Sequence, residues 1–265
     1  MTPLRCDGIV LAAGAGTRYG MPKVLAEDGA WVESAVRALR DGGCGRVFVV
    51  LGATGPAQPA EAGSEPRWVV SRNPRIALPD GVIPVWAADW ATGLSASMRA
   101  GLAAVAAANA AATGRKPSFA ARKDTERNTD PGIAATRNAA AGSSSSQREQ
   151  LSSTPRLAIP EVNDSAIAEF VAIMPVDTPD VGGDVVARVI AAAREAESGL
   201  ARAVFGGMPG HPVVLGRGHW AGVSAAAHGN SGAGSYLRQR ADMVCVTCDD
   251  LATGLDQDYP RSGAR

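Results

Sequence analysis

Two absences bound this chain before any motif is read. Charge of one sign is not in excess, because 26 basic residues face 26 acidic ones over 265 residues. A surface built for nucleic acid or for a membrane has no global electrostatic support, so any anion site must be local. No apolar run approaches ~18 residues, and no membrane-spanning helix is indicated. Cysteine is scarce too. Four thiols in a chain of this length do not make a disulfide framework, which points to the reducing cytoplasm. Residues 1–7 are too few and too polar to read as a secretory signal.

What is present alternates between apolar runs and helical spacing. "GIVLAA" (residues 8–13) reads as a buried first strand, and Val32, Ala35, Val36 and Leu39 recur at helical intervals after it. Further strands are expected at "RVFVVLG" (46–52), "RWVVS" (67–71), "AIAEFVAIMPVD" (166–177), "LARAVF" (200–205) and "DMVCVTC" (242–248). Leu94, Met98, Leu102 and Val105 form a second helical stripe, and residues 185–196 a third. Such alternation builds an α/β fold with a mostly parallel sheet. From about 109 to 164 the composition changes to Ala, Ser, Thr, Asn, Arg and Pro around "GSSSSQ". That stretch is too poor in large apolar residues to offset its ordering entropy, so it reads as a disordered low-complexity insertion within a single domain.

The first strand runs into "LAAGAGTRYGMPK" (11–23). A dinucleotide fingerprint wants a third glycine where Tyr19 stands, and no acidic residue closes the second strand. A Walker loop wants lysine directly after glycine, but Met21 and Pro22 follow Gly20. What remains is a loop whose amides at Ala15, Gly16 and Thr17 can face an anion, with Gly14 and Gly16 permitting close approach. Arg18 supplies a planar fork for phosphate oxygens, and Lys23 a compact charge on a segment stiffened by Pro22.

The pattern Leu-Ala-Ala-Gly-x-Gly-x-Arg-x-Gly-x-Pro-Lys resembles the signature of nucleotidyltransferases built on a three-layer Rossmann-like sheet with helices on both faces (the nucleotide-diphospho-sugar transferase-like fold). By that resemblance Leu11, Ala12, Ala13, Gly14, Gly16 and Thr17 wrap a nucleoside triphosphate, and Arg18 and Lys23 hold its phosphates. "DWATGLSASMRAGL" (89–102) is similar to the Gly-Leu-Ser-x-Ser-x-Arg-x-Gly segment of the molybdenum cofactor cytidylyltransferases (the MobA-like NTP transferases). The resemblance makes Gly93, Leu94, Ser95 and Ser97 the floor under the base. Read locally, Ser95 or Ser97 equally suits the N-cap of the following helix.

"IMPVDTPDV" (173–181) ends a buried strand at Asp177, where ligands of parallel sheets sit and where a carboxylate can hold magnesium. If that acid were only a helix cap, Asp180 or Asp184 would be better placed. In the family the matching acid coordinates the metal. "LDQDYP" (255–260) looks like the family's closing Asp-x-Asp-x-Pro, which gives Asp258, or else Asp256, as the second metal ligand; Tyr259 stands where threonine is usual. "GGMPGHPVVLG" (206–216) resembles a Gly-His-Pro segment and puts His211 at the acceptor. His219 and His228 lack such a context and read as surface or packing residues. "GNSGAGSYL" (229–237) echoes a family loop in which Asn230 replaces an acid. Cys245 and Cys248 lie three apart in an expected strand, on opposite faces, and suggest burial rather than a zinc site.

The resemblance implies transfer of a nucleotidyl group, CMP from CTP, to a phosphorylated acceptor with loss of pyrophosphate, supported by Mg2+ on Asp177 and Asp258. Arg18, Lys23 and Asp177 are then the catalytic residues. Molybdopterin is the implied acceptor, and a molybdoenzyme or cofactor-handling protein the implied contact. Sugar- or polyol-phosphate transfer, the use of GTP, nucleotide binding without turnover, and a dehydrogenase are the competing readings.

Overall fold

The structure is a computed structural model and describes residues 5–60, 67–70, 75–113 and 167–259. These all fall within one compact unit. The expected insertion is, from residue 114 to 166, outside the described residues.

The described residues form ten strands and five α-helices. β1 (Arg5–Leu11), α1 (Ala30–Asp41) and β2 (Cys44–Leu51) open it, then β3 (Ala57–Pro59), β4 (Trp68–Val70), β5 (Ile76–Ala77) and β6 (Ile83–Trp86). α2 (Leu94–Ala112), β7 (Ala168–Pro175), α3 (Gly183–Glu195), β8 (Leu200–Phe205) and β9 (Met208–Gly216) come next. α4 (Trp220–Ala226), α5 (Gly234–Leu237) and β10 (Val244–Thr247) close it.

The main sheet has the order β10-β8-β9-β7-β1-β2-β6. Its central strand β1 pairs in parallel with β2 and β7. Six of the seven residues of β1 are buried, as expected for a strand covered on both faces. Alternate residues feed two separate cores. Val10 joins α1 and α3 residues such as Leu39 and Ile190 on one face; Ile9 and Leu11 join Met98, Leu102 and Val105 of α2 and Trp220 of α4 on the other. The result is the three-layer α/β arrangement with a mostly parallel sheet.

Three departures from the sequence reading have physical causes. β9 is antiparallel to both β7 and β8 and was not expected, because Pro209, Gly210 and Pro212 mask a strand whose apolar half is only Val213 to Leu215. β4 does not join the main sheet. Three residues long and fully buried only at Val70, it pairs antiparallel with β3 and β5 in a small separate sheet, and β6 takes the edge beside β2. Finally, the helix runs through residue 109 rather than ending before it. Asn109 is buried, its Oδ1 accepts the Ala168 N–H at 3.0 Å, and its Nδ2 donates to the Ala168 carbonyl at 3.0 Å.

Asn109 also completes a polar cluster at the amino ends of the strands. Asp7, fully buried, accepts from the Arg46 Nε at 2.9 Å, Nη2 at 2.6 Å and backbone N–H at 3.1 Å, with Arg5 Nε 3.3 Å away. The Arg46 Nη2 donates in addition to Asn109 Oδ1 at 2.7 Å. No helix among the described residues is long and apolar enough to cross a membrane.

Removing one partner of a buried ion pair strands the other charge. Arg46→Met is expected to lower unfolding free energy by about 3 kcal/mol, measured by urea denaturation, since Arg5 still faces Asp7. An unchanged midpoint counts against this cluster as a stabilising centre.

Candidate active site

The carboxyl ends of β1 and β7 open into a cavity of about 720 Å³. From the expected site, Leu11, Ala12, Ala13, Gly14, Gly16, Thr17, Arg18 and Lys23 line it, as do Gly93, Leu94, Ser97, Asp177, His211, Asp256 and Asp258. Segments separated by most of the chain's length thus meet at one place.

The loop after β1 is closed on itself by the Gly20 N–H donating to the Gly16 carbonyl at 2.8 Å. Gly16 sits at φ +61°, and a Cβ there would lie 1.8 Å from the Met21 carbonyl oxygen, so only glycine is accommodated. Tyr19, where a dinucleotide loop would have glycine, packs against Trp31 with ring centroids 5.0 Å apart and anchors the loop to α1. Among the described residues no hydrogen bond engages the N–H groups of Ala15, Gly16 and Thr17. They remain donors for an anion. Pro22 is extended, as expected, but Lys23 already opens a short 3-10 turn, which breaks at Ala26, Glu27 and Asp28, where the backbone is not helical.

Lys23 is the hub. Its Nζ donates to Asp177 Oδ2 at 2.7 Å and to Asp258 Oδ1 at 2.9 Å, while Arg18 Nη1 donates to Asp258 Oδ2 at 2.5 Å. Burial alone would lower the Lys23 pKa; its hydrogen bonds to the two carboxylates, and their charges, outweigh this and raise it above the ordinary lysine value. Asp258 moves the other way. The Lys23 hydrogen bond, together with the charges of Lys23 and Arg18, holds its carboxyl below 3.8.

Further hydrogen bonds bring the C-terminal segment here. The Gln257 N–H donates to the Asp177 carbonyl at 2.9 Å, and Asp180 Oδ2 accepts from the Thr253 N–H at 2.7 Å and its Oγ1 at 2.5 Å. Asp180 is therefore a tether rather than a helix cap. Gly182 takes the N-cap of α3, and Asp184 accepts only from the next residue's N–H.

At the opposite wall, Gly93 caps α2 with no side-chain hydrogen bond, so neither Ser95 nor Ser97 serves as the expected cap. Gly93 adopts φ +121°, and a Cβ would meet the Gly229 carbonyl at 2.4 Å. Ser95 is withdrawn from the cavity. It is buried, and its N–H donates to the Gly229 carbonyl at 3.0 Å. Among the lining residues that were not expected at the site are Trp90, Thr178 and Pro209. Trp90 stood inside the quoted motif, yet nothing local shows that its indole faces the cleft. The Thr178 Oγ1 is buried beside Asp177 without a partner.

Neither of the other histidines lines the cavity. His219 lies 2.7 Å from both the Tyr236 hydroxyl and the Ser198 carbonyl, and His228 is exposed. Cys245 is exposed on β10, while Cys248 falls just beyond the strand and is buried.

A glycine loop with free amides, two cations and converging carboxylates at the carboxyl edge of a mostly parallel sheet is an arrangement suited to the polyphosphate of a nucleotide. The chain belongs to the MobA-like NTP transferase domain family, whose profile matches residues 8–244. It is similar to nicotine blue oxidoreductase of Paenarthrobacter nicotinovorans, at 28% identity over 97% of this chain and 94% of that protein. The fold is shared with Rv0371c of Mycobacterium tuberculosis H37Rv (TM-score 0.58, 18% identity, covering 97% of this chain and 95% of that one). It is shared too with the nucleotidyl transferase Mth528 of Methanothermobacter thermautotroptrophicus (TM-score 0.51, 15% identity, 96% and 92%). A further Rv0371c structure, a complex with manganese, matches at TM-score 0.54, 18% identity, 96% and 94%.

Two outcomes follow from this geometry. Gly16→Ala should weaken nucleoside triphosphate binding about tenfold or more by calorimetry, because it forces the loop open, while global stability changes little. For Asp258 the depressed pKa means that its contribution is present above pH 3.8 and is lost as pH falls through the lower folded value. Hydrogen-exchange protection of the Gln257 amide is expected to persist from neutrality to that range and to disappear below it. Asp258→Ala should abolish that protection at every pH, and protection retained in the variant speaks against the tether.

Proposed function

We propose that this protein transfers CMP from CTP to a phosphorylated small-molecule acceptor, molybdopterin being the acceptor the family resemblance favours. The observation that carries this reading is the convergence of Asp177 and Asp258 on one cation beside free loop amides, within a single cavity. An acceptor phosphate oxygen attacks the α-phosphorus, the bond to the bridging oxygen breaks, and pyrophosphate leaves with the electron pair. No protein nucleophile is required. Catalysis reduces to alignment and charge neutralisation, which Arg18, Lys23 and the loop amides provide around the polyphosphate. The base would rest against Gly93, Leu94 and Ser97, with Trp90 at its edge.

A divalent cation fits the donor set. Two carboxylate oxygens already lie 2.7 and 2.9 Å from one positive centre, and hard oxygen ligands suit Mg2+ or Mn2+. Asp177 and Asp258 would hold it, and when bound it supplies charge neutralisation on the phosphates. The flexible stem of Lys23 can turn its ammonium from the carboxylates to a phosphate oxygen. We place the reaction in the cytoplasm, in contact with a protein that handles the product.

One finding favours a second reading. The relative named an oxidoreductase matches nearly the whole chain. If such a role used a nicotinamide dinucleotide in the same cleft, Tyr19 and the absence of an acid at the end of β2 would both work against it.

The deciding experiment is a screen of four nucleoside triphosphates, with Mg2+ or Mn2+, against molybdopterin and several sugar phosphates, read by pyrophosphate release. A parallel arm follows oxidation of NADH or NADPH with nicotine blue as acceptor. Pyrophosphate release with CTP is expected, and Asp177→Ala should cut it by about 10²–10³. NAD(P)H turnover without pyrophosphate release overturns the proposal in favour of the redox reading.

A further inference from the structure

A second cavity, of about 310 Å³, opens off the first and shares Leu11, Leu94, Pro175, His211 and Asn230 with it. Its size suits a small organic ligand. Its chemistry differs from that of the main cleft. Asp177, Asp256 and Asp258 line the larger cavity, whereas neither Asp nor Glu lines the smaller one, which instead has Arg202 and Arg238 among apolar walls such as Met98 and Leu237.

Arg202 is the unusual group. It projects from β8, where its neighbours in the sheet are Val213 and Cys245. Its Nε is buried without a hydrogen-bond partner, and its Nη2 makes one long bond to the Gly210 carbonyl at 3.3 Å. Among the described residues no carboxylate is paired with it. A guanidinium stays charged, and holding it partly out of water without a counter-anion is costly. Here burial pushes its pKa down, with no carboxylate to oppose the shift. His211, on β9 between the two cavities, has a buried Nδ1 that is likewise unpartnered. Burial, reinforced by the Arg202 charge, lowers its pKa from 6.5, so the ring is neutral at pH 7 and adds a hydrogen-bonding nitrogen rather than a charge. Two cations and an orphaned ring nitrogen thus surround a space with apolar sides.

We propose that this side cavity is an anion subsite for a phosphate or carboxylate carried on an apolar body, gripped by the fork of Arg202 with Arg238 at the mouth. Planar bidentate recognition of such oxygens is what a guanidinium does best. If the main cleft performs nucleotidyl transfer, as proposed above, the occupant is the part of the acceptor remote from its reacting oxygen, and the acceptor is at least dianionic. The subsite itself does not depend on that reading.

Phenyl phosphate is the probe, titrated by calorimetry into the full chain. Arg202→Gln should weaken it about tenfold or more, Arg202→Lys should recover part of the loss, and Arg18→Gln should leave it within about twofold. Nitrogen-15 spectra should show the Arg202 Nε and His211 ring signals moving on titration, and thermal melts confirm that the variants are folded. Failure of the wild type to bind at millimolar phenyl phosphate overturns the subsite. So does equal binding by Arg202→Gln, or a loss confined to Arg18→Gln. Pyrophosphate release is read separately. With an acceptor that turns over, Arg202→Gln should raise its KM and leave kcat nearly unchanged; an unchanged KM disconnects the subsite from the acceptor while the binding result stands.

Discussion

One ammonium shared by two carboxylates holds the cleft in register. Lys23 reaches 154 residues along the chain to Asp177 and 235 residues to Asp258. Without it, two acids would face each other across a partly buried gap, and their repulsion would drive apart the end of β7 and the returning C-terminal segment. With it, three pieces of chain far apart in sequence are fixed at hydrogen-bond distance. The fold supplies the meeting place, since β1 and β7 are neighbours whose carboxyl ends coincide. A mobile metal ion can replace a fixed lysine at such a point, because the carboxylate oxygens have already lost the freedom that ordering them would cost.

The two ends of the sheet share out different tasks. At the amino edge, Asp7, Arg46 and Asn109 satisfy one another almost completely and are sealed from water. At the carboxyl edge the polar groups are deliberately incomplete: loop amides without acceptors, Thr178 Oγ1 and His211 Nδ1 without partners, and Arg202 with only one long bond. Buried groups left unpaired weaken a fold, and their concentration around two connected cavities is the signature of a surface shaped for ligands.

How much of this could be read from the residues depended on how local the signal was. The glycine loop, Arg18 and Lys23 were legible because spacing along one loop fixes them, and Asp177 because a buried strand visibly ends there. The α1, α2 and α3 stripes were legible through their 3.6-residue period. The antiparallel β9 was hidden by its prolines, and the small β3–β4–β5 sheet by strands too short to show alternation. Ser95 shows the limit within a motif that was otherwise well placed. Ser97 lines the cleft, whereas Ser95 is turned into the helix contact with Gly229, a difference set by helix rotation rather than by residue type. Arg202 was out of reach altogether, since its isolation from acids is a property of three neighbouring strands.

The double hydrogen bond between Asn109 and Ala168 has a topological consequence. It ties the last turn of α2 to the first residue of β7, a full strand length (roughly 23 Å at ~3.3 Å per residue) from the cleft at the carboxyl edge. Closing a loop costs only logarithmically more as it lengthens, so two ends held together in this way set a connection whose length adds little to the entropic cost.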